Sequence, residues 1–149
     1  MCKLLLLDND ETMRMIYRDE LEAWGYSVVD MGMSPNLLET IAHEAPEAII
    51  MEAKLGACDG LDLLQTIRNR HSGLPIILCT AFPHVKHDPR ALAADYVVVK
   101  GSKLEELMRC TQMALDANQS LQEAALENRD NKNDLPGEKR ALGALDSYF

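Results

Sequence analysis

The 149-residue sequence predicts an α/β fold, a mainly parallel sheet covered by helices on both faces. Three observations carry that prediction. Five short apolar runs alternate with stretches of helical period. The first run, Leu4-Leu5-Leu6-Leu7, is continuous, as a strand buried on both sides requires. An apolar content of 47% suffices to close one core, and the length leaves little chain for a second full-sized domain.

The elements follow in order. Lys3 to Leu7 forms the first strand, and the chain turns polar at Asp8-Asn9-Asp10-Glu11. Met13, Ile16, Tyr17, Leu21 and Trp24 then recur at helical spacing, and Gly25 ends the helix. Tyr26 to Val29 is the second strand. Ser34-Pro35 reads as a helix start, with Ser34 as N-cap, Pro35 at the first turn and Leu37, Leu38 and Ile41 facing inward. Ala48 to Met51 is the third strand, ending at Glu52; Ala53 to Asp59 is a loop. A helix over 60–70 packs through Leu61, Leu64 and Ile67. Ile76 to Cys79 is the fourth strand, closing on Thr80-Ala81. A short, polar, mobile fourth helix is expected near Asp88-Pro89. Tyr96 to Val99 is the fifth strand, with Lys100 at its end. Ser102 and Glu105 make a capping box for a helix facing the core with Leu104, Leu107, Met108 and Thr111.

The main domain is expected over 1–117, with 118–149 a C-terminal helical extension or a flexible tail. Gln119 to Arg129 suits a helix, and Asp130 to Gly137 reads as a polar break. A loose tail, a strut and a dimer contact remain open for this stretch, because its apolar positions are too few to demand one partner.

The net charge of -9 repels phosphate backbones, and no basic cluster offsets it, so direct nucleic-acid binding is not expected. The start of the chain lacks a signal-peptide pattern, and no run is long enough to cross a bilayer, so a cytoplasmic protein is expected. Cys2, Cys58, Cys79 and Cys110 are dispersed and read as separate reduced thiols. Cys58 has no neighbour pattern that would lower its pKa, and His84 and His87 beside Lys86 read as surface residues.

In an open parallel sheet, ligands sit outside the carboxyl ends of the strands. Asp8 and Asn9 follow the first strand, Glu52 the third, Thr80 the fourth and Lys100 the fifth, so distant residues should meet at one edge. Carboxylates, an amide, a hydroxyl and an ammonium suit a divalent ion or a phosphoryl group. Taken singly, each has a plainer reading: the Asp8 to Asp10 carboxyls and amide as loop or cap residues, Glu52 and Lys100 as surface charges, Thr80 as a hydroxyl bonded to backbone.

The motifs resemble the receiver domain of two-component response regulators. The acidic turn after strand one, Gly25-Tyr26-Ser27-Val28, Asp59-Gly60, Pro75-Ile76-Ile77-Leu78-Cys79-Thr80-Ala81 and Ala93-Ala94-Asp95-Tyr96-Val97-Val98-Val99-Lys100 all match that family's pattern. The resemblance implies a doubly wound (βα)5 three-layer sandwich, CheY-like and flavodoxin-like, with sheet order 2-1-3-4-5. It also implies a role in phosphorelay signal transduction. Glu52 then falls at the phospho-acceptor position, with Asp8, Asn9, Thr80 and Lys100 as its pocket and Val97 at the aromatic switch position. The matching Mg2+ ligands are Asp8, Asn9, Glu52 and the Lys54 backbone carbonyl.

The departures weaken that chemistry. Asn9 replaces an anionic ligand with an amide, and Lys54 adds a positive charge nearby. Glu52 carries its carboxylate on the order of 1 Å further out than an aspartate, enough to cost about a hundredfold in a positioned reaction. Tyr96 lies one place before Val97 and should face the other side of the strand. Gly101 stands where the family has proline.

The expectation is therefore an atypical receiver, a protein-interaction module that is not phosphorylated and is not an enzyme. The alternative is a phosphorylatable single-domain response regulator. No cofactor is expected beyond a weakened Mg2+ site. The expected partners are a histidine kinase or output protein, and a second copy through the face of helix 4, strand 5 and helix 5.

Overall fold

The computed structural model describes residues 1–101 and 104–134. The chain divides into two compact units, Met1–Leu115 and Asp116–Phe149. The first contains β1 (Lys3–Leu7), α1 (Glu11–Ala23), β2 (Ser27–Met31), α2 (Leu37–Glu44), β3 (Ala48–Met51), β4 (Lys54–Leu55), β5 (Cys58–Asp59), α3 (Gly60–Arg70), β6 (Ile76–Thr80) and β7 (Tyr96–Val99). It also holds the start of α4 (Leu104–Asp134), whose remaining residues belong to the second unit.

Five strands form one parallel sheet in the order β2-β1-β3-β6-β7. With the two-residue hairpin β4/β5 set aside, this is the expected 2-1-3-4-5 arrangement. The hairpin occupies part of the stretch expected to be a loop, pairing Lys54 with Asp59 and Leu55 with Cys58.

Because β1 is central, its side chains are buried on both faces. Leu4 and Leu6 join Tyr17, Leu21, Leu107 and Met108 in one apolar layer under α1 and α4, while Leu5 and Leu7 join Leu37, Ile41, Leu61, Leu64 and Ile67 under α2 and α3. The alternation extends to β7, where Tyr96 and Val98 pack in the first layer and Val97 in the second. The inward stripes of α2, α3 and α4 are placed as expected; on α1 the stripe is narrower. Ile16 is 45% and Trp24 58% exposed, so only Tyr17 and Leu21 are buried there, with Met13 packed beside them.

Two local starts differ from expectation. Asn36, not Ser34, is the N-cap of α2, and it makes no side-chain cap bond; the Ser34 hydroxyl instead accepts from the Asn36 amide. The expected fourth helix is replaced by two 3-10 turns, Pro83–His87 and Pro89–Ala93. Each turn opens at a proline, and the proline at 89 disfavours helical backbone at Asp88, so no continuous α-helix can form. Farther on, α4 continues to Asp134, so the described part of the polar break expected over Asp130 to Gly137 is helical. The Ser102 half of the proposed capping box lies outside the described residues, as does the chain beyond Asp134.

Candidate functional site

The site is built at the carboxyl ends of β1, β3, β6 and β7. Register brings these ends level: Leu7 pairs with Met51, Met51 with Leu78, and Thr80 with Val99, so the next residues, Asp8, Glu52 and Lys100, emerge along one edge. Backbone bonds hold the turns, with the Glu52 amide donating to the Leu7 carbonyl and the Lys100 amide to Thr80. Gly60 makes the close packing possible. A Cβ there would lie 2.5 Å from the Ala53 carbonyl oxygen and 2.6 Å from that of Glu52, inside contact distance of rigid backbone.

Lys100 joins the two carboxylates. Its ammonium pairs with Asp8 Oδ2 and lies 2.9 Å from Glu52 Oε2. All three are withdrawn from solvent: Asp8 and Glu52 are each 5% exposed, and the Lys100 side chain 10%. Burial by itself would lower the Lys100 pKa, but its hydrogen bonds to Asp8 and Glu52, with their charges, outweigh it and hold the ammonium above its usual value.

Both Glu52 oxygens are engaged. Oε1 accepts from the Ala53 amide at 2.7 Å and more distantly from Lys54 at 3.4 Å; Oε2 accepts from the Ala81 amide at 3.2 Å as well as facing Lys100. Thr80, fully buried, turns its Oγ1 to the Phe82 amide at 3.2 Å. Asp8 completes its own set through Oδ1, which accepts from the Asp10 amide, while Asp10 caps α1 by accepting from Met13.

Asn9 is the predicted pocket residue that turns elsewhere. Its Oδ1 accepts from the Met33 amide at 2.7 Å, and its Nδ2 lies 2.7 Å from where a Cβ on Gly56 would stand. The side chain is thus bonded to the backbone after β2 and lies close against the hairpin tip. Gly56, at φ +67, meets both requirements of that tip, a left-handed backbone and no side chain. The Lys54 ammonium lies 4.1 Å from the centre of the Phe82 ring, a cation-π contact.

As arranged, this set fits a Mg2+ ion poorly, because its oxygens have other partners. Asp8 Oδ2 and Glu52 Oε2 share an ammonium, and Asn9 Oδ1 serves a backbone amide. Among the described residues no three His, Cys, Asp or Glu side chains group so as to hold a metal. A hard dication needs several free oxygens converging on one point.

Sequence reasoning missed three contributors. The amides of Ala53 and Ala81 leave no side-chain signal. Arg14, whose guanidinium donates to the Asp8 carbonyl at 2.6 Å and pairs with Asp30, could have been noticed as a cation one helical turn after the acidic loop. A cleft of about 180 Å³ lies beside Lys100, lined by Met13, Ile16, Tyr17, Cys79 and Leu107 among others. Burial pushes the Cys79 thiol at its wall up to about 11, so it is protonated and unreactive near neutrality. All four cysteines are free.

The family model described as "Response regulator receiver domain" matches residues 4–112. The chain belongs to that family. The receiver is 33% identical over 99 residues to the response regulator FleR of Pseudomonas aeruginosa, covering 64% of this chain and 21% of FleR. It is 31% identical over 108 residues to the response regulator MprA of Mycobacterium leprae, covering 71% of this chain and 47% of MprA. The chain therefore spans less than half the length of these relatives. Among solved structures, the response regulator TrrA of Thermotoga maritima, crystallised with Mg2+-BeF, superposes with a TM-score of 0.73 at 25% identity, over 76% of this chain and 99% of TrrA. TrrA has also been solved in complex with the histidine kinase ThkA. Among the described residues, no helix of the receiver is long and apolar enough to cross a membrane.

Proposed function

We propose that this receiver is an atypical one, a protein-interaction module of two-component signalling that carries fixed negative charge at Glu52 instead of acquiring phosphate. One observation supports this above the others: the Glu52 carboxylate already holds the Ala81 amide and the Lys100 ammonium. An incoming phosphoryl group would have to displace the carboxylate from these donors while that same carboxylate acted as nucleophile. The charge that phosphorylation would deliver on demand is there permanently, and the domain holds one signalling state. The oxygens around Asp8, Asn9 and Glu52 are already engaged, so Mg2+ binds weakly at most.

On this reading the chain has no enzymatic activity and contacts no nucleic acid itself. Its partner is a cytoplasmic signalling protein, a histidine kinase or an output protein. TrrA's complex with a kinase shows that a relative of this fold engages one. The surface proposed for a partner or a second copy consists of the two 3-10 turns, β7 and the first part of α4.

Intact-mass measurement after incubation with Mg2+ and acetyl phosphate, or with a kinase, tests the proposal. The wild type is expected to stay unmodified, while Asn9→Asp/Glu52→Asp, which restores the usual acidic set, is expected to gain phosphate. Rapid stoichiometric modification of the wild type would favour the phosphorylatable single-domain alternative and end this one.

A further inference from the structure

The segment between β6 and β7 is weakly fixed by its own sequence and by the core. Its two 3-10 turns are five residues each, and short 3-10 pieces have poorer hydrogen-bond geometry than an α-helix. Its apolar anchors are small: Val85 and Ala91 are buried, whereas Leu92 is 87% exposed. Something else must place it.

A row of polar side chains on α3 does so. Arg90 Nη1 lies 2.9 Å from Asp59 Oδ2 and 2.8 Å from Asp62 Oδ1, and Nη2 lies 2.9 Å from Asp88 Oδ2. Two of these carboxylates already have local duties, since Asp59 caps α3 through the Leu61 amide and Asp88 caps the second turn through the Arg90 amide. One guanidinium thus joins the caps of two elements. Farther along α3, Gln65 donates to the Arg90 carbonyl and Arg68 to the Ala93 carbonyl, at successive i, i+3 positions from Asp62. The hydrogen bonds of Arg90 hold the Asp59 and Asp88 carboxyls below their usual range.

We propose that Arg90 is an ionic latch: its grip on Asp59, Asp62 and Asp88 holds the segment 83–93 against α3, and its release opens that segment as a unit while the sheet stays folded. Opening uncovers part of the apolar layer beside α3, to which Val85 and Ala91 belong. Because the latch is exposed, its strength falls with ionic strength, unlike the buried Lys100 cluster. The latch requires nothing of Glu52 and stands or falls independently of the phosphorylation question.

Hydrogen exchange read by mass spectrometry on the full chain tests it. Peptides covering 83–95 in the wild type should exchange about tenfold faster at about 1 M than at about 0.01 M salt, with β1 and β3 unchanged. Arg90→Gln should exchange fast at both, with the salt dependence gone, and Arg90→Lys should fall between, since an ammonium cannot fork across three carboxylates. Asp62→Ala, which disturbs no cap, should weaken the latch partly. Exchange of 83–95 insensitive to salt, or an Arg90→Gln effect within about twofold of wild type or spread evenly over the sheet, would overturn the proposal.

Discussion

Two of the receiver's clusters in which one cation faces several carboxylates, those around Lys100 and Arg90, differ in almost everything but that. Around Lys100, two carboxylates and an ammonium lie buried at the strand ends, and both carboxylates also have backbone partners. Around Arg90, three carboxylates meet a guanidinium at the surface, where the Asp62 side chain is 72% exposed. A buried pair is strongly coupled to folding, since removing one partner leaves the other charge without solvent, whereas an exposed cluster acts mainly on local position. On the two proposals made above, the same chemistry would set the signalling state in one place and segment mobility in the other.

The largest effect that would break this comparison is expected from Lys100→Met. Leaving Asp8 and Glu52 facing each other should destabilise the fold by about 3 kcal/mol, read as a lower urea midpoint with unchanged slope. A loss no greater than a surface substitution would erase the distinction. Gly60→Ala comes next, because it tests the join between the clusters: Gly60 follows Asp59 and presses on the backbone at Glu52. Its Cβ must displace backbone, which should lower stability by about 1–3 kcal/mol. Arg90→Gln should leave the urea midpoint nearly unchanged while altering exchange in 83–95.

The pH response sharpens the contrast. Lys100 has a raised folded pKa, so its contribution is complete below the unfolded lysine value of 10.5 and is lost as pH rises through the folded value. Asp59 and Asp88 have lowered folded pKa values, so the Arg90 contribution is complete above the unfolded value of 3.8 and is lost as pH falls through the folded ones. The protection of 83–95 relative to the intrinsic exchange rate should therefore fall on the acid side, and the Lys100-dependent part of the urea midpoint should fall only on the alkaline side.

Much of the architecture was legible because strands buried on both faces must be written as apolar runs; Leu4 to Leu7 and Ala48 to Met51 are such runs. The meeting of Asp8, Glu52, Thr80 and Lys100 was legible for a related reason, since parallel register puts the residues after each run on one edge. The Asn9 bond was not legible, because the orientation of its side chain depends on the Met33 amide and Gly56, both distant in sequence. The broken fourth helix could have been seen in the spacing of Pro83 and Pro89. The Arg90 latch could not, because its partners Asp59 and Asp62 lie some thirty positions away with no local mark.

Gly101 sets an order on any attempt to rebuild a conventional receiver from this chain. It stands at φ +92, which a proline ring, fixed near φ of about −65°, cannot adopt. Exchanging Asn9 or Glu52 for aspartate alters functional groups on an unchanged backbone. Restoring proline at 101 demands a different path for the main chain first. Two steps of that reversal are open to single substitutions, and the third is closed until its surroundings have moved.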